Sequence, residues 1–372
     1  MNDEWQNVLI RHQVGIQRMG AGIAKRINDL LLATEIDLTL NLERSAHQER
    51  IFKYIRDLRG GAWGEAKILF LEEAKQLALY EPEFLTTALE RISPVVLDLA
   101  KPTGSILRGI VNAKPLQGKV LSQWIDDAQR AELNLMVSQI RIGLAQGESN
   151  EVLTRRIVGT SRFKRTDGIT HKSRNNVRAI VRTVTNGISN EARQEFYGMN
   201  KNLFNEERYV AVLDGRTTTI CGSLDGRIFK TGEGVIPPAH FQCRSTRIPI
   251  ISRDYIGERP FVQGNQRRYL SEFAKMNKLG TIRRRSQLPR GYKSRFDKFA
   301  RQRKRQLAGR LPARINYEQW LRGQTNEFQN QILGRGRAEI FRRGNLPLSR
   351  FTDRTGGEIS LGVLRELDEI VS

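Results

Sequence analysis

The sequence predicts an α+β protein with a predominantly helical N-terminal region, a small central β-rich module and a basic, mostly helical C-terminal tail. Three observations carry that prediction. Apolar residues recur at three- and four-residue steps through long stretches before Leu213, which is the helical period. Between Leu213 and Ile250 that period gives way to short β-branched runs and Asp-Gly turns. From Ser252 to Ile315 positive charge rises and regularity falls.

Length and composition set the frame. A chain of 372 residues with 39% hydrophobic content can bury cores for two or three domains and is not a disordered protein. The boundaries expected are a helical domain over 1–150, a long helix plus β module over 151–251, a basic segment over 252–316 and a helical region over 317–372. No apolar run is long enough to span a membrane. The opening MNDEWQNVLIRHQ has neither the basic flank nor the apolar core of a signal peptide, so a protein made in a cytoplasm is expected. Two cysteines do not make a disulfide framework.

A net charge of +22 and a pI near 10.5 imply a polyanionic partner. The charge is regional. Residues 1–100 carry 12 Lys and Arg against 15 Asp and Glu, whereas residues 251–316 carry 19 against 4. The phosphate-neutralising candidates are therefore Arg283, Arg284, Arg285, Lys293, Arg295, Arg301, Arg303, Lys304 and Arg305.

In chain order, WGEAKILFLEEAKQLALY places Ala66, Leu69, Phe70, Leu77 and Tyr80 on one helical face. Gly60-Gly61, Pro82 and Pro94 are expected to bound this helix, and Met19–Gly22 to interrupt an earlier one. Lys101–Gly118 reads as a connection, Val120–Ala145 as a helix, and 148–166 as a short helix with a basic loop. A helix from Asn175 to Tyr197 carries the stripe Val177, Ile180, Val181, Val184, Ile188, Ala192 and Phe196. Arg208–Leu213 reads as a strand ended by Asp214-Gly215, and Leu224–Phe229 as a second turn between extended pieces. Gly215 and Gly226 permit positive φ there. Pro237-Pro238 delivers His240 and Cys243 on a loop, and Arg247–Ile251 closes the module as a strand. SRFDKFARQRKRQLAG is expected to set Phe296 and Phe299 on one side of a helix, or to become ordered on a partner. Tyr317–Phe341 is amphipathic and breaks near Gly334 and Gly336; a turn at Gly356-Gly357 precedes a terminal helix.

Cys221, His240 and Cys243 form a Cys-x18-His-x2-Cys pattern. Thiolates and imidazole are zinc ligands, so a structural zinc ion is the cofactor this set would take, with Asp214, Asp225 or His171 as a further donor. The alternative is two buried cysteines acting as small hydrophobes, with His240 bonded to a backbone carbonyl. No nucleophile elbow, paired acidic cluster or glycine-rich phosphate loop accompanies these residues, so no catalytic residue is assigned.

At these residues the chain resembles the Mu F-like minor head proteins of tailed bacteriophages, a family of head morphogenesis proteins. The resemblance rests on Arg182-Thr183, Asp214, Arg216-Thr217, Cys221, Leu224-Asp225-Gly226 and Pro237-Pro238-Ala239-His240-Phe241-Gln242-Cys243-Arg244-Ser245. It is strong over 175–250 and extends to a second block, Tyr317–Leu321, Gln331–Gly334, Arg337 and Leu346–Asp353. The family usually has Pro at the position of Phe241, and some relatives close with Cys where Ser245 stands. The resemblance implies a virion protein made in the host cytoplasm, present in few copies and bound near the portal inside the head. Its implied partners are the portal protein, packaged double-stranded DNA and the scaffold or major capsid protein. There it would act in assembly and in packaging or ejection of DNA; the basic charge leads to an expectation of DNA contact without sequence specificity, and the missing catalytic context to an expectation of no enzyme activity. The alternative is a metal-assisted nuclease acting on phage DNA.

Overall fold

Two very long helices, α1 (Asn2–Arg44) and α2 (Gln48–Ile92), open the chain in the computed structural model, which describes residues 2–44, 48–163, 165–251, 258–353 and 357–371. They are followed by α3 (Gly104–Asn112), α4 (Leu121–Ala145), α5 (Asn150–Val158) and α6 (Ile169–Met199). Arg11–Lys201 of this series, together with the loop Ile236–Cys243, makes one compact helical unit.

The core of that unit is the apolar stripe of α6 packed against Ile16, Ile23 and Ile27 of α1 and Trp63, Phe70 and Leu77 of α2. Every residue of the expected α6 stripe is buried, whereas Tyr80 of α2 is exposed. Leu38, Ile55, Met136, Ile140 and Ile157 form a second cluster.

Several expected breaks are absent. α1 runs unbroken through Met19–Gly22, and α2 runs through Gly60-Gly61 and Pro82. A helix-interior glycine costs about 1 kcal/mol and a proline about 3 kcal/mol, so something must offset both. Around the glycines, Arg59 and Trp63 are fully buried on Glu132, at 2.5 Å from Arg59 Nη2 and from Trp63 Nε1. Beside Pro82, buried Glu81 meets Arg193 Nε at 2.8 Å and His12 Nε2 at 3.0 Å. Removing one partner of such a pair costs about 3–5 kcal/mol, enough to hold the helix through residues that locally disfavour it. The connection expected over Lys101–Gly118 contains α3, capped by Thr103 and anchored by buried Leu107, Ile110 and Val111.

The second unit comprises Met1–Ile10, Asn202–Val235 and Arg244–Ser372. It contains β1 (Glu206–Val210), β2 (Leu213–Asp214), α7 (Thr219–Leu224), β3 (Ile228–Lys230), β4 (Thr246–Pro249) and β5 (Glu258–Val262). Then come α8 (Gln266–Met276), α9 (Lys293–Gln306), β6 (Ala308–Pro312), α10 (Tyr317–Arg322), α11 (Asn326–Leu333), α12 (Arg335–Arg343) and α13 (Leu361–Val371). One sheet has the order β3-β1-β4, antiparallel throughout, with Arg208 opposite Ile228 and Tyr209 opposite Arg247. The other has the order β2-β5-β6, with β2 parallel to β5 and β5 antiparallel to β6.

The α+β class is therefore the one the sequence predicts. The basic segment is more regular than expected, because it carries two strands and two helices. Tyr269, Leu270 and Phe273 of α8 pack with Phe296 of α9 in an apolar cluster of their own. The amphipathic stretch after Tyr317 is three helices, closed by Trp320, Leu321, Phe328, Leu333 and Phe341. Gly356 of the expected turn lies outside the described residues. Among the described residues, no helix is long and apolar enough to cross a membrane.

Candidate functional site

The signature stretch is held by its own side chains. Asp214 ends β2 and accepts the backbone N–H of Arg216 at 3.0 Å, which closes the turn. The Thr217 hydroxyl donates to Val212 O, and Thr218 caps α7 by accepting from Cys221 N at 3.3 Å. Arg244 grips the Asp214 carboxylate with both terminal nitrogens, at 2.8 and 2.7 Å. Burial alone would raise the Asp214 pKa. The Arg244 bonds and charge outweigh it and hold the carboxyl below its ordinary range.

Asp225 is the denser hub. One carboxylate oxygen accepts Ala211 N at 2.7 Å and Arg259 Nη2 at 3.0 Å; the other accepts Tyr317 N at 2.7 Å and Arg259 Nη1 at 2.8 Å. Leu224-Asp225-Gly226 thus ties the strand region to β5 and to the start of α10. Gly226 takes φ +83°, as expected, and donates to Tyr209 O at 2.9 Å. Gly215 does not adopt positive φ; a Cβ there would sit 3.1 Å from the Ile332 methyl and 3.2 Å from Asn265 Cβ, a tight fit that its neighbours would have to yield to admit. The segment before Asp225 is the helix α7, not an extended piece.

The proline loop rests on the helical unit. Gln117 Nε2 donates to Pro238 O at 2.6 Å, and Gln242 N donates to the buried Thr183 hydroxyl at 2.8 Å. Arg182 donates to Gln242 Oε1 at 3.1 Å. The Pro237-Pro238 peptide is cis. Phe241 packs its ring 5.5 Å from that of Trp124, an apolar contact that seats the loop.

Cys221 and Cys243 are buried and unbridged. The ligand atoms of Cys221, His240 and Cys243 lie within 4.8 Å of one another. His240 Nδ1 is 2.8 Å from Phe241 O and donates to it, the hydrogen bond by which a metal-binding imidazole is oriented to present Nε2. Cys221 Sγ is also 3.3 Å from the Tyr209 hydroxyl. Asp214 does not join this group, because its oxygens are engaged by Arg244 and Arg216; Asp225 is fully engaged by its own donors. A sulfur, nitrogen, sulfur donor set fits zinc in kind, and supplies three of the four ligands of a closed site.

The basic candidates divide in two. Arg285 pairs with Asp297 at 2.7 Å and Arg303 with Glu272 at 2.8 Å, while Arg295 lies over the Tyr292 ring at 5.0 Å. Arg283, Arg284, Arg301, Lys304 and Arg305 are exposed, and Lys293 is half-buried at the start of α9. With Phe296 and Phe299 on the α8 side, Arg301, Lys304 and Arg305 of α9 face outward, while Arg303 turns to Glu272 of α8.

Residues 136–248 match the family model described as phage Mu protein F like protein. That segment is similar to the Mu F family. It begins inside α4, earlier than the resemblance read from motifs, and ends within β4, so the block around Tyr317–Asp353 lies beyond it. No curated protein and no solved structure matches the chain. The Mu F-like match covers Asp214, Arg244 and Asp225, whose partners 30 and 34 residues away no local spacing discloses. Arg174 and Arg178, which the sequence reading did not single out, stand at four-residue spacing with the signature residue Arg182 on α6, beside the apolar stripe.

Proposed function

We propose that this protein is a minor head protein of a tailed bacteriophage. It binds near the portal inside the head and acts in head morphogenesis and in packaging or ejection of DNA. The Mu F-like match supports the phage head assignment. The observation that carries the DNA reading is the folded pair α8 and α9, whose aromatic cluster faces inward and whose Arg301, Lys304 and Arg305 face solvent beside Arg283 and Arg284. Each phosphate such a cation neutralises releases counterions, so affinity falls with salt and ignores sequence. The slightly acidic first hundred residues serve protein contact, with the portal as the first partner and scaffold or major capsid protein as the others.

Full-length protein should bind duplex DNA of any sequence, with a salt dependence that weakens when these five cations become Gln. Loss of five contacts lowers the slope of log affinity against log salt by about 4.5. An unchanged slope refutes the assignment to this segment. Binding displaced by an acidic protein as readily as by DNA would assign the surface to a protein partner instead.

The group Cys221, His240 and Cys243 favours a second reading, in which the stretch holds zinc and cleaves DNA with metal assistance. Three protein ligands leave a fourth position, as catalytic zinc sites do. Metal analysis should return about one zinc per chain, lost in Cys243→Ser. Plasmid nicking by wild type with added divalent metals, abolished in His240→Ala, would establish the nuclease; intact plasmid leaves the ion structural.

A further inference from the structure

Between α2 and α3 the chain runs from Val96 to Thr103 without a turn or bend. Burial along it has the period of a strand: Leu97 and Leu99 are half-buried, while Val96, Asp98 and Ala100 are exposed, Val96 completely. One edge is already held. The Asn200 side chain accepts Ala100 N at 2.9 Å and donates to Ala100 O at 2.8 Å, as a neighbouring strand would. In an extended segment successive residues turn their N–H and C=O to opposite edges, so Leu97 and Leu99 face away from Asn200. Val96, Leu97, Asp98 and Leu99 make no backbone hydrogen bond to any described residue. The stretch is a strand without a sheet.

In the second unit, β6 is an edge strand, paired only with β5 among the described residues. Gln263 N donates to Leu307 O at 2.9 Å, and bonded pairs alternate along an antiparallel ladder, so Gly309 and Leu311 face β5 while Ala308 and Arg310 point their backbone groups outward. Exposure alternates here too, with Gly309 and Leu311 half-buried and Ala308, Arg310 and Pro312 exposed. Arg310 pairs loosely with Glu258, at 3.5 Å and with both side chains more than half exposed, a contact worth little.

The two edges match in one register. Laid parallel, Asp98 stands beside Arg310, Val96 beside Ala308 and Leu99 beside Leu311. Arg310 N then donates to Leu97 O, Leu99 N to Arg310 O and Leu97 N to Ala308 O, the slanted bonding of a parallel pair. Exposed residues meet exposed ones, half-buried meet half-buried, and the single charge on each strand meets its opposite. An antiparallel pairing along the same edges would put Asp98 and Arg310 on opposite faces.

We infer that Val96–Ala100 of one copy of this chain adds to β6 of a second copy, as a further strand of the β2-β5-β6 sheet. The contact is heterologous: the first copy keeps its own β6 open and the second its own Val96–Ala100, so copies join head to tail into a ring or a chain. It goes beyond the DNA and portal assignments and depends on neither.

The test is the mass of the full chain by sedimentation against concentration, on protein freed of nucleic acid, which the basic tail would bridge. Three hydrogen bonds and one ion pair make a small contact, so association is weak and is read at about 0.1–1 mM. Wild type should pass from monomer to larger species over that range. Asp98→Arg and Arg310→Asp alter exposed side chains and should melt as wild type does. Each alone should associate about fivefold more weakly, and the two mixed in equal amounts should recover, because each supplies the edge that complements the other. Arg310→Pro removes the outward N–H but no bond to β5, and should stay monomeric with its fold intact. Wild type that remains monomeric throughout the range overturns the proposal. So do single variants that assemble as wild type does, a mixture that fails to recover, or an Arg310→Pro chain that assembles.

Discussion

Asp225→Asn is the most informative single change in the signature stretch. It keeps the side chain's shape while removing its charge and one acceptor. Four donors converge on the carboxylate, and an amide oxygen can retain at most two; the amide N–H₂ then faces the remaining two donors. Arg259, whose side chain is 5% exposed, is left as a buried cation without its counter-charge. Breaking one side of a buried pair costs about 3–5 kcal/mol, and two unmade bonds at about 1–3 kcal/mol each give the same range. For a unit of this size that lowers the melting temperature by about 10 °C. Guanidinium unfolding gives the free energy, and hydrogen exchange at the α10 amides reports this unit directly. A double-mutant cycle with Arg259→Met isolates the pair. A cost below about 1 kcal/mol, or a coupling of zero, would refute the hub described for Asp225.

Two further changes test the helical unit. Glu81 is buried; burial would raise its carboxyl, but the charge of Arg193 and the bond from His12 outweigh that and hold it at about 2, against an ordinary 4.5. A depressed acid contributes stability above its unfolded pKa and loses it as pH falls through the folded value. The unit should therefore lose about 3 kcal/mol between pH 4.5 and 2, a loss absent in Glu81→Leu, and an unchanged acid limb in that variant contradicts the assignment. Thr183→Val keeps the side-chain volume but removes the acceptor for Gln242 N, so it should cost about 1–3 kcal/mol and speed exchange of that amide. A protected Gln242 amide in the variant would count against it.

Where one residue's environment is set by its neighbours in sequence, the fold was legible. The α6 stripe, the Asp225-Gly226 turn, the loop after Pro237-Pro238 and the strand at Thr246–Pro249 were all readable that way. The failures have one physical form. Gly60-Gly61 and Pro82 are breakers by local propensity, and they sit inside α2 because Glu132, Arg193 and His12 arrive from far along the chain. The basic segment looked irregular because its aromatic core is divided between α8 and α9, so neither half shows a full apolar face. For the candidate site, Cys221, His240 and Cys243 were legible as ligand types, and Asp214 was not legible as the partner of Arg244.

The loop Ile236–Cys243 belongs to the helical unit although Asn202–Val235 of the other unit is made between it and the helices. On a ribosome adding about 5–20 residues per second, α6 emerges several seconds before Pro238 and Gln242 exist to meet Gln117 and Thr183. During that interval Gly187, whose position admits a Cβ only 2.9 Å from Leu116 and 3.2 Å from Pro238, faces no proline at all. The N-terminal helices must therefore persist as an unfinished assembly, and completion of the first unit waits on synthesis of the Asn202–Val235 stretch of the second. Expression of residues 1–201 alone would reproduce that nascent state, with the binding face for the loop left open.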